Sequence, residues 1–257
     1  MNSEAGRYDR QIAFAGLGLE GQRRLRAGGV LVVGVGGLGS WMAELLTRAG
    51  VGRLRLVDDD AVDRTNLHRQ ALYDDADAAR RRPKVEAAAE RLSRINPDVQ
   101  VEPIRERLDA ANVARLAGGA DAILDGTDNF ESRFVMNDYC VKASVPWVFA
   151  GVVGAEAQTM TVVPGKTACL RCVFDAPPPV CVDPSCRAAG VLGPAVAAVA
   201  AVAAMEVLKL LAGAIEAVSP YLLKLDLWTN RSQRIATGEP VEGCPCCGQG
   251  RYDYLDA

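Results

Sequence analysis

Residues 30–39 of the chain have the sequence VLVVGVGGLG, and this segment is the most informative about the fold. Residues 30–33 predict a buried strand, because they are all aliphatic and uncharged. The motif Gly34-x-Gly36-Gly37-x-Gly39 follows, and residues 40–49 then have the apolar spacing of a helix. A strand, a glycine-rich turn and a helix in this order favour a nucleotide-binding turn. The glycines let the backbone approach a phosphate, and the helix N-terminus supplies N–H donors.

An acidic residue at the end of the next predicted strand supports this interpretation. Residues 54–57 form a second predicted strand that ends at Asp58, so the region contains one β-α-β unit. Asp58 lies roughly 20 residues after the glycine turn, where a carboxylate is placed to bind a ribose hydroxyl. The glycine pattern and Asp58 alone leave three readings open: ATP, a nicotinamide dinucleotide, and a tight turn without a ligand.

The alternation of strands and helices continues along the chain. A polar helical opening covers residues 7–27, and further helices are predicted over 84–94, 110–116 and 131–142. Further strands are predicted over 99–104, 122–124, 147–150 and 158–163. This order predicts an α/β fold, Rossmann-like and doubly wound, with a mostly parallel sheet covered on both faces.

The pattern changes at Pro164. A Cys-rich stretch, a Pro-rich segment at 175–184, an Ala-rich helix within 191–212 and a short strand at 221–227 follow, without further β-α-β rhythm. We therefore divide the chain into a Rossmann-like nucleotide-binding region, 1–163, and a C-terminal lobe, 164–257, within one integrated domain.

Composition limits the classes of partner. The net charge is −3, which gives no overall attraction to nucleic acid or to an anionic membrane. The first residues lack an apolar run of the signal-peptide type, so we expect a cytoplasmic protein. The apolar stretch 191–212 is interrupted by Gly193-Pro194 and carries Glu206 and Lys209, which favours a core or interface helix over a membrane span.

Eight cysteines in a reducing compartment favour metal or thiol chemistry over disulfides. Two Cys-x-x-Cys pairs, Cys169 with Cys172 and Cys244 with Cys247, supply the four thiolates of a tetrahedral zinc site. The long separation between the pairs predicts a structural zinc ion that ties the C-terminal tail to the body of the protein. A redox-active Cys-x-x-Cys, or Cys246 as a ligand in place of a neighbour, is the competing interpretation.

Further motifs lie in a fixed order along the chain. They are Arg7-Tyr8-Asp9-Arg10-Gln11, Asp58-x-Asp60, Thr65-Asn66-Leu67-His68-Arg69-Gln70, Pro83-Lys84-Val85, Thr127-Asp128-Asn129 and Cys244-Pro245-Cys246-Cys247. Together with the glycine turn they resemble the adenylation domain of ubiquitin-activating-like enzymes. Across its length the chain is similar to the bacterial ThiF/MoeB/HesA family of adenylyltransferases.

The resemblance implies a set of ATP-binding residues, with Mg²⁺ as the accompanying metal. The set is Gly36, Gly37, Gly39, Asp58, Asp60, Asn66, Leu67, Arg69, Lys84, Asp128 and Asn129. It also implies catalytic roles for Arg69 and Lys84 at the phosphates, for Asp128 at the metal, and for Arg10 at the phosphates of a neighbouring subunit. The chemistry fits these residue types: attack of a carboxylate on the α-phosphate joins two anions, which requires fixed positive charge and a metal. His68, the only histidine, is interpreted as structural.

Three cysteines lie outside both Cys-x-x-Cys motifs, in different settings. Cys181 and Cys186 lie in the Pro-rich region, where a thiol beside Arg187 is expected to have a lowered pKa and to react. The sequence from Cys186 to Gly190 resembles the crossover-loop cysteine of the ThiF branch, which forms a covalent link with its carrier protein. Cys140, on a predicted helix, is interpreted as a buried apolar residue.

The resemblance also implies a reaction and its partners. The expected reaction is ATP-dependent adenylation of the C-terminal glycine of a ubiquitin-like sulfur-carrier protein ending in Gly-Gly, before thiocarboxylate formation for thiamine thiazole or molybdopterin biosynthesis. A homodimer, a separate sulfur donor, no nucleic acid and no membrane complete the expectation. Residues 128–134 and the Cys186 segment favour the thiazole branch.

Two other functions remain as alternatives at this level. The glycine turn and Asp58 would also suit a dinucleotide-dependent oxidoreductase, although no acid or base set for hydride transfer is evident and Asp128 would have no role. An inactive protein-binding scaffold of the same fold is the second alternative, and the presence of Arg69, Lys84 and Asp128 argues against it.

Overall fold

The computed structural model describes residues 4–174, 176–177 and 190–256. The strands are β1 (Gly29–Val33), β2 (Arg53–Val57), β3 (Gln100–Ile104), β4 (Ala122–Asp125), β5 (Trp147–Val153), β6 (Glu156–Val162), β7 (Tyr221–Asp226) and β8 (Arg231–Ala236). The helices are α1 (Glu4–Ile12), α2 (Gly18–Ala27), α3 (Gly37–Ala49), α4 (Asp75–Ala79), α5 (Lys84–Ile95), α6 (Val113–Leu116), α7 (Phe130–Ala143), α8 (Leu170–Val173) and α9 (Gly193–Ala212).

All of these strands form one sheet in the order β3-β2-β1-β4-β5-β6-β7-β8. Neighbours from β3 to β5 pair in parallel, whereas β5 to β8 pair antiparallel. The prediction of an α/β fold with a mostly parallel sheet is confirmed. The sheet also continues across residues 163 and 164, because β7 and β8 extend it beyond β6.

The central strand shows why the sheet is covered on both faces. Every residue of β1 is buried, and its side chains alternate between two hydrophobic clusters. Val30 and Val32 pack in the cluster that contains buried residues of α3, α5 and α9. Leu31 and Val33 pack in the second cluster, with residues of α7 and of the C-terminal tail. A continuous apolar run is therefore what this strand position requires.

The Ala-rich segment forms the 20-residue helix α9. By length and composition it is the one helix in the described part of the chain that could cross a membrane, but half of the tested window is buried inside the molecule. Nine of its residues are buried, and seven of these belong to the first core cluster. The prediction of a core helix is confirmed, while Ala201 and Met205 on its other side are exposed.

Three elements have no counterpart among the sequence predictions. Strand β8 is exposed at every residue. Because neither of its faces is buried, its sequence RSQRIA has no alternation of apolar and polar residues by which a strand could be predicted. Helices α4 and α8 span only 5 and 4 residues, which is too short for a helical period to be recognised.

Candidate functional site

The predicted nucleotide residues meet at the carboxyl ends of three parallel strands. Val33 of β1 lies beside Val57 of β2 and beside Asp125 of β4. The loops that follow these strands carry the glycine turn, Asp58 and Asp128, so they lie along one edge of the sheet. The strand order reverses between β1 and β4, and ligands of open α/β sheets bind in the crevice at such a point.

Two of the glycines of the turn, Gly34 and Gly39, allow close packing of the backbone. Gly34 has a positive φ of 78°, and its carbonyl oxygen lies in a tight backbone contact. A Cβ on Gly39 would lie 1.8 Å from that oxygen, and a Cβ on Gly126 would lie 2.2 Å from it. No side chain fits at either position, so Gly39 lets helix α3 pack against the ends of β1 and β4.

Gly36 and Gly37, by contrast, keep the outer surface of the turn bare. The nearest atom to a Cβ on Gly36 would be Gln70 Nε2 at 3.5 Å, and Val196 Cγ1 would be 3.4 Å from one on Gly37. A side chain would fit at both positions without a backbone clash. Their bareness leaves room for a phosphate at the N-terminus of α3, where backbone N–H groups and the helix dipole favour an anion.

Asp58 is held beneath the turn by backbone donors. Its Oδ2 accepts a hydrogen bond from Val35 N at 2.7 Å, and its Oδ1 accepts one from Asp60 N at 2.8 Å. The side chain is only 8% exposed. Burial raises the pKa of Asp58 above its usual range, while the charge of Lys84 and the two backbone N–H groups oppose that rise.

Lys84 supplies the buried positive charge of the site. It is the first residue of α5, its side chain is 6% exposed, and its Nζ lies 2.6 Å from Asp60 Oδ2 and 4.0 Å from Asp58 Oδ2. A lysine buried to this extent requires anionic neighbours, which the two carboxylates provide. The structure therefore brings Asp58, Asp60 and Lys84 together, as the sequence implies.

Arg69 is held by acceptors from its own segment. Its guanidinium donates to Asn66 Oδ1 at 2.7 Å and to Thr65 O at 3.3 Å, and it lies 2.8 Å from His68 Nε2. An arginine has no acceptor atom, so His68 Nε2 is the acceptor in that pair. Leu67 packs against the first core cluster and anchors the segment.

Asp128 lies on the exposed loop between β4 and α7, on the other side of the glycine turn from Asp58. The loop is fastened from below, because Asp125 Oδ1 accepts hydrogen bonds from the backbone N and Oγ1 of Thr127, at 2.9 and 2.6 Å. The next residue, Asn129, caps α7 by accepting from Ser132 N at 2.9 Å. Asp128 is thus presented at the rim while the residues beside it are fixed.

Two residues near the site are absent from the sequence predictions. Arg133 is buried, and it bonds Asp125 Oδ2 at 2.8 Å, Thr127 O at 2.8 Å and Ala150 O at 3.0 Å. Gln70 is 5% exposed, and its Oε1 is buried without a hydrogen-bond partner while its Nε2 faces Gly36. Both belong to motifs that the sequence analysis quotes, but their burial was not visible there.

Arg10 is the predicted residue that the fold keeps away from the turn. Helix α1 packs at the C-terminal end of α3: Gln11 Nε2 donates to Ala49 O at 2.9 Å, and the ring of Tyr8 lies against Gly50. The glycine turn is at the opposite end of this 13-residue helix, roughly 20 Å away. Arg10 itself is exposed.

The four predicted zinc ligands converge although 75 residues separate the two pairs. Cys169 Sγ lies 3.6 Å from Cys244 Sγ and 3.8 Å from Cys172 Sγ, and Cys172 Sγ lies 3.3 Å from Cys247 Sγ. Zinc–sulfur bonds of about 2.3 Å in a tetrahedron place sulfurs about 3.8 Å apart, so this set fits a zinc ion. All four sulfurs lie within 4.8 Å of one another.

Cys246 is buried beside this cluster. Its Sγ accepts a hydrogen bond from Asn137 Nδ2 at 3.4 Å, and Asn137 Oδ1 accepts one from Leu170 N at 2.8 Å. Hydrogen bonds from Cys246, Cys244 and Cys247 lower the pKa of Cys169 to about 4, which favours its thiolate. The pKa of Cys246 is raised, because it donates to Cys169 and is buried.

The remaining cysteines differ in what the structure describes. Cys140 is completely buried in the second core cluster, and burial raises its pKa well above the usual range. Its interpretation as an apolar core residue agrees with this environment. Cys181 and Cys186 lie outside the described residues.

The ThiF family profile matches residues 8–246, which is most of the chain. The chain belongs to the ThiF family.

Two curated relatives of this ThiF-family chain match nearly all of it. The sulfur carrier protein ThiS adenylyltransferase of Bacillus subtilis is 41% identical over 97% of this chain and 74% of the relative. The SAMP-activating enzyme E1 of Haloferax volcanii is 39% identical over 99% of this chain and 93% of the relative.

Solved structures give the same picture of the fold. A crystal structure of Escherichia coli MccB with ATP superposes with a TM-score of 0.82 at 25% identity, covering 95% of this chain and 74% of MccB.

Proposed function

We propose that this ThiF-family chain is an adenylyltransferase that uses ATP to activate the C-terminal glycine carboxylate of a ubiquitin-like sulfur-carrier protein. The observation that carries the proposal is the placement of Arg69, Lys84 and Asp128 around a glycine turn whose outer surface is bare. The names of the relatives at about 40% identity supply the class of the second substrate.

The bare turn is the proposed phosphate site. Gly36 and Gly37 face the triphosphate of ATP with their backbone, and Asp58 lies at the end of β2, where the ribose is expected. Asn66, Leu67 and Asn129 complete the proposed nucleotide-binding set. The unpartnered Oε1 of Gln70 shows that one buried acceptor in this crevice has no donor from the described protein atoms.

Arg69 and Lys84 are the proposed source of positive charge in the transition state. The carrier carboxylate attacks the α-phosphorus, and the bond to the β-phosphate oxygen breaks, so pyrophosphate leaves with the bonding electrons. The products are the carrier acyl-adenylate and pyrophosphate. Negative charge grows on the phosphate oxygens during this step, and pre-positioned cations stabilise it more in the transition state than in the bound substrate.

Asp128 is the proposed ligand for Mg²⁺. Its exposed carboxylate lies at the rim of the crevice and is a hard oxygen donor, and Mg²⁺ is commonly held by one or two carboxylates, substrate phosphates and water. The ion would neutralise phosphate charge there.

A homodimer is proposed as the active unit. Arg10 lies roughly 20 Å from the glycine turn of its own chain, at the far end of α3, so it would reach phosphates only from a neighbouring subunit. Exposed apolar residues support such a contact: Phe14 is 69% exposed, Leu19 53% and Met205 53%. Helix α2, which carries Leu19, packs against α9, which carries Met205. Patches of this kind mark protein interfaces.

The four cysteines Cys169, Cys172, Cys244 and Cys247 are proposed to hold a structural zinc ion. They belong to the second core cluster, and Cys169 follows β6, which ends beside the first residue of β5, at the opposite edge of the sheet from the glycine turn. The ion would therefore stabilise the C-terminal tail and take no part in adenylation.

The later steps and the setting remain proposals from the resemblance. Sulfide-level sulfur from a separate donor attacks the acyl carbon of the adenylate, the bond from that carbon to the phosphate oxygen breaks, and AMP leaves, which gives the carrier thiocarboxylate. Cys186 is the residue proposed to form a covalent link with the carrier. The thiazole branch is favoured over molybdopterin synthesis, and the cytoplasm is the proposed compartment.

The test is exchange of labelled pyrophosphate into ATP by the purified protein, with a panel of small carriers ending in Gly-Gly. We expect exchange with at least one carrier, and a loss of about 100-fold or more in Asp128→Ala. Asp98→Ala, which removes another exposed carboxylate before β3, is the matched control and should exchange at the native rate. A folded, zinc-loaded protein that gives no exchange with any carrier would contradict the proposal and favour the scaffold or oxidoreductase alternatives.

A further inference from the structure

Trp41 makes a contact that neither the sequence motifs nor the proposed function uses. Its indole Nε1–H donates a hydrogen bond to the backbone carbonyl oxygen of Arg69 at 3.1 Å. Trp41 lies in the first turns of α3, directly after the glycine turn, and its ring is partly buried against the first core cluster. An indole has one donor and no acceptor, so this bond satisfies its only polar group.

The hydrogen bonds of Arg69 do not fix its guanidinium relative to the glycine turn, although its Cδ and Cγ lie 3.7 and 3.8 Å from the position of a Cβ on Gly37. Its three guanidinium partners are Asn66, Thr65 and His68, and all three belong to the same short segment. These bonds hold the guanidinium against its own segment. Whether the guanidinium faces the phosphate site therefore depends on how this segment is attached to α3.

Three bonds make that attachment. Besides Trp41, Ser40 Oγ accepts from Ala71 N at 3.1 Å, and Tyr73 Oη donates to Val35 O at 2.7 Å. The last two act on residues after Arg69, whereas the indole bond acts on Arg69 itself. The indole bond is therefore the one of the three that directly restrains the distance between the Arg69 backbone and the glycine turn.

The opposite side of the segment is closed by backbone packing. A Cβ on Gly193, at the start of α9, would lie 2.7 Å from His68 O and 3.6 Å from Arg69 Cα. The segment is therefore enclosed between α9 and α3, and the indole supplies the directional contact on the α3 side.

We propose that Trp41 is a positioning residue for Arg69, holding the arginine at the distance from the glycine turn that nucleotide phosphates require. This inference rests on the proposed function, since it assumes that Arg69 contacts ATP. The contact is a backbone bond, so it would act on the arginine without touching the substrate.

The test compares Trp41→Phe, which keeps an aromatic ring but removes the donor, with Trp228→Phe, the same change at a 78% exposed position. In ATP–pyrophosphate exchange we expect kcat/KM for ATP to fall about 3- to 10-fold in Trp41→Phe, the range for one neutral hydrogen bond. Trp228→Phe should remain at the native value. An unchanged kcat/KM in Trp41→Phe would overturn the inference.

A double-mutant cycle separates positioning of Arg69 from a general effect on the fold. In an Arg69→Ala background, adding Trp41→Phe should change kcat/KM by less than about twofold, because the group that Trp41 positions is gone. A full 3- to 10-fold loss in that background would mean that Trp41 acts elsewhere, and the inference would be wrong.

Hydrogen exchange without nucleotide tests the inference independently of adenylation. Backbone amides of residues 64–73 should exchange faster in Trp41→Phe than in the native chain, with β1 to β4 unchanged. If the native chain proves inactive with every carrier, faster exchange confined to 64–73 would still support the attachment while the proposed function fails. Unchanged exchange there would overturn the attachment itself.

Discussion

The Asp58 carboxylate is buried, and it is surrounded by hydrogen-bond donors and a positive charge that favour its ionised form. Two backbone N–H groups and Lys84 stabilise the carboxylate, yet desolvation is the larger effect and the pKa of Asp58 rises. The folded protein therefore holds a proton on Asp58 more tightly than the unfolded chain does. A carboxylate at this position therefore carries a cost in stability, as is common for residues of binding sites.

The raised pKa predicts a pH dependence of stability. Because the folded pKa lies above the usual value of 3.8, this group stabilises the fold least once pH has risen through the folded pKa. As pH rises above 3.8, ionisation of Asp58 should lower the free energy of unfolding of the native chain. In Asp58→Asn, urea unfolding should show a smaller decrease over the same pH range, because the amide does not ionise. The variant should also bind ATP more weakly, since an amide replaces the carboxylate at the proposed ribose site.

The control for this measurement is Asp98→Asn, an exposed carboxylate outside the site. It should follow the native pH profile. If the pH profile of Asp58→Asn also coincides with the native one, desolvation does not raise the pKa of Asp58 in the folded protein.

Helix α7 and the loop before it form the element that presents Asp128. Arg133 lies one turn inside the helix, with its guanidinium 5.0 Å from the ring centres of both Phe130 and Phe149. Its ion pair with Asp125 is buried on both sides, at 7% and 0% exposure. The loop thus depends on a charge that is neutralised inside the protein.

Arg133→Met should reduce the free energy of unfolding by about 3–5 kcal/mol, because it leaves the Asp125 carboxylate buried without its partner. Urea unfolding measures the change. Lys142→Met, at an exposed position of the same helix, should change it by less than about 1 kcal/mol. Equal effects of the two substitutions would mean that the buried pair does not support the loop.

Helix α9 shows how one element serves several surfaces. Its N-terminus packs against His68 and Arg69, its buried side completes the first core cluster, and its outer side exposes Met205. A helix with apolar residues on several sides is stable when each of those sides packs against another apolar surface. The exposed apolar side of α9 is therefore consistent with the proposed contact between subunits.

At the scale of the whole molecule, the cysteine cluster links the C-terminal tail to the core. Cys244→Ser should lower bound zinc well below one ion per chain and reduce the melting temperature, because zinc binding contributes on the order of 10 kcal/mol in small sites. Metal analysis and thermal unfolding measure both effects. ATP affinity should change by less than about threefold, since the cluster lies in the second core, away from the glycine turn.

Cys140→Ala provides the comparison, because this thiol is buried outside the cluster and should leave the zinc content unchanged. Full zinc content in Cys244→Ser would argue that Cys246 replaces it or that the site is not a zinc site.

The position of Arg10 predicts complementation between two inactive variants. Arg10→Ala and Asp128→Ala should each lose exchange activity alone. In a mixed dimer, one of the two sites combines the intact Asp128 of one chain with the intact Arg10 of the other. Random mixing should therefore restore about a quarter of native activity, as an isologous dimer requires. Activity that stays at the level of the separate variants after subunit exchange would place Arg10 outside the partner's site.

Local and periodic features of the sequence were enough to predict much of this protein. The apolar run of β1, the glycine turn and the rhythm of helices and strands fix the parallel half of the sheet, because each depends on residues close together in the chain. The Cys-x-x-Cys spacing likewise indicates two thiol pairs suited to one ion. The motifs predict Arg69, Lys84 and Asp128 as site residues, and the fold brings the segments that carry them to one edge of the sheet.

Features that depend on contacts between groups far apart in the chain become visible in the three-dimensional structure alone. The tertiary structure makes Gly39 a packing residue against Gly34 and Gly126, and it engages Asn129 as the cap of α7. It adds the exposed strand β8 to the sheet edge, where pairing with β7 takes the place of apolar alternation. It also separates Arg10 from the turn by the length of α3, since a helix carries its two ends apart whatever their sequence.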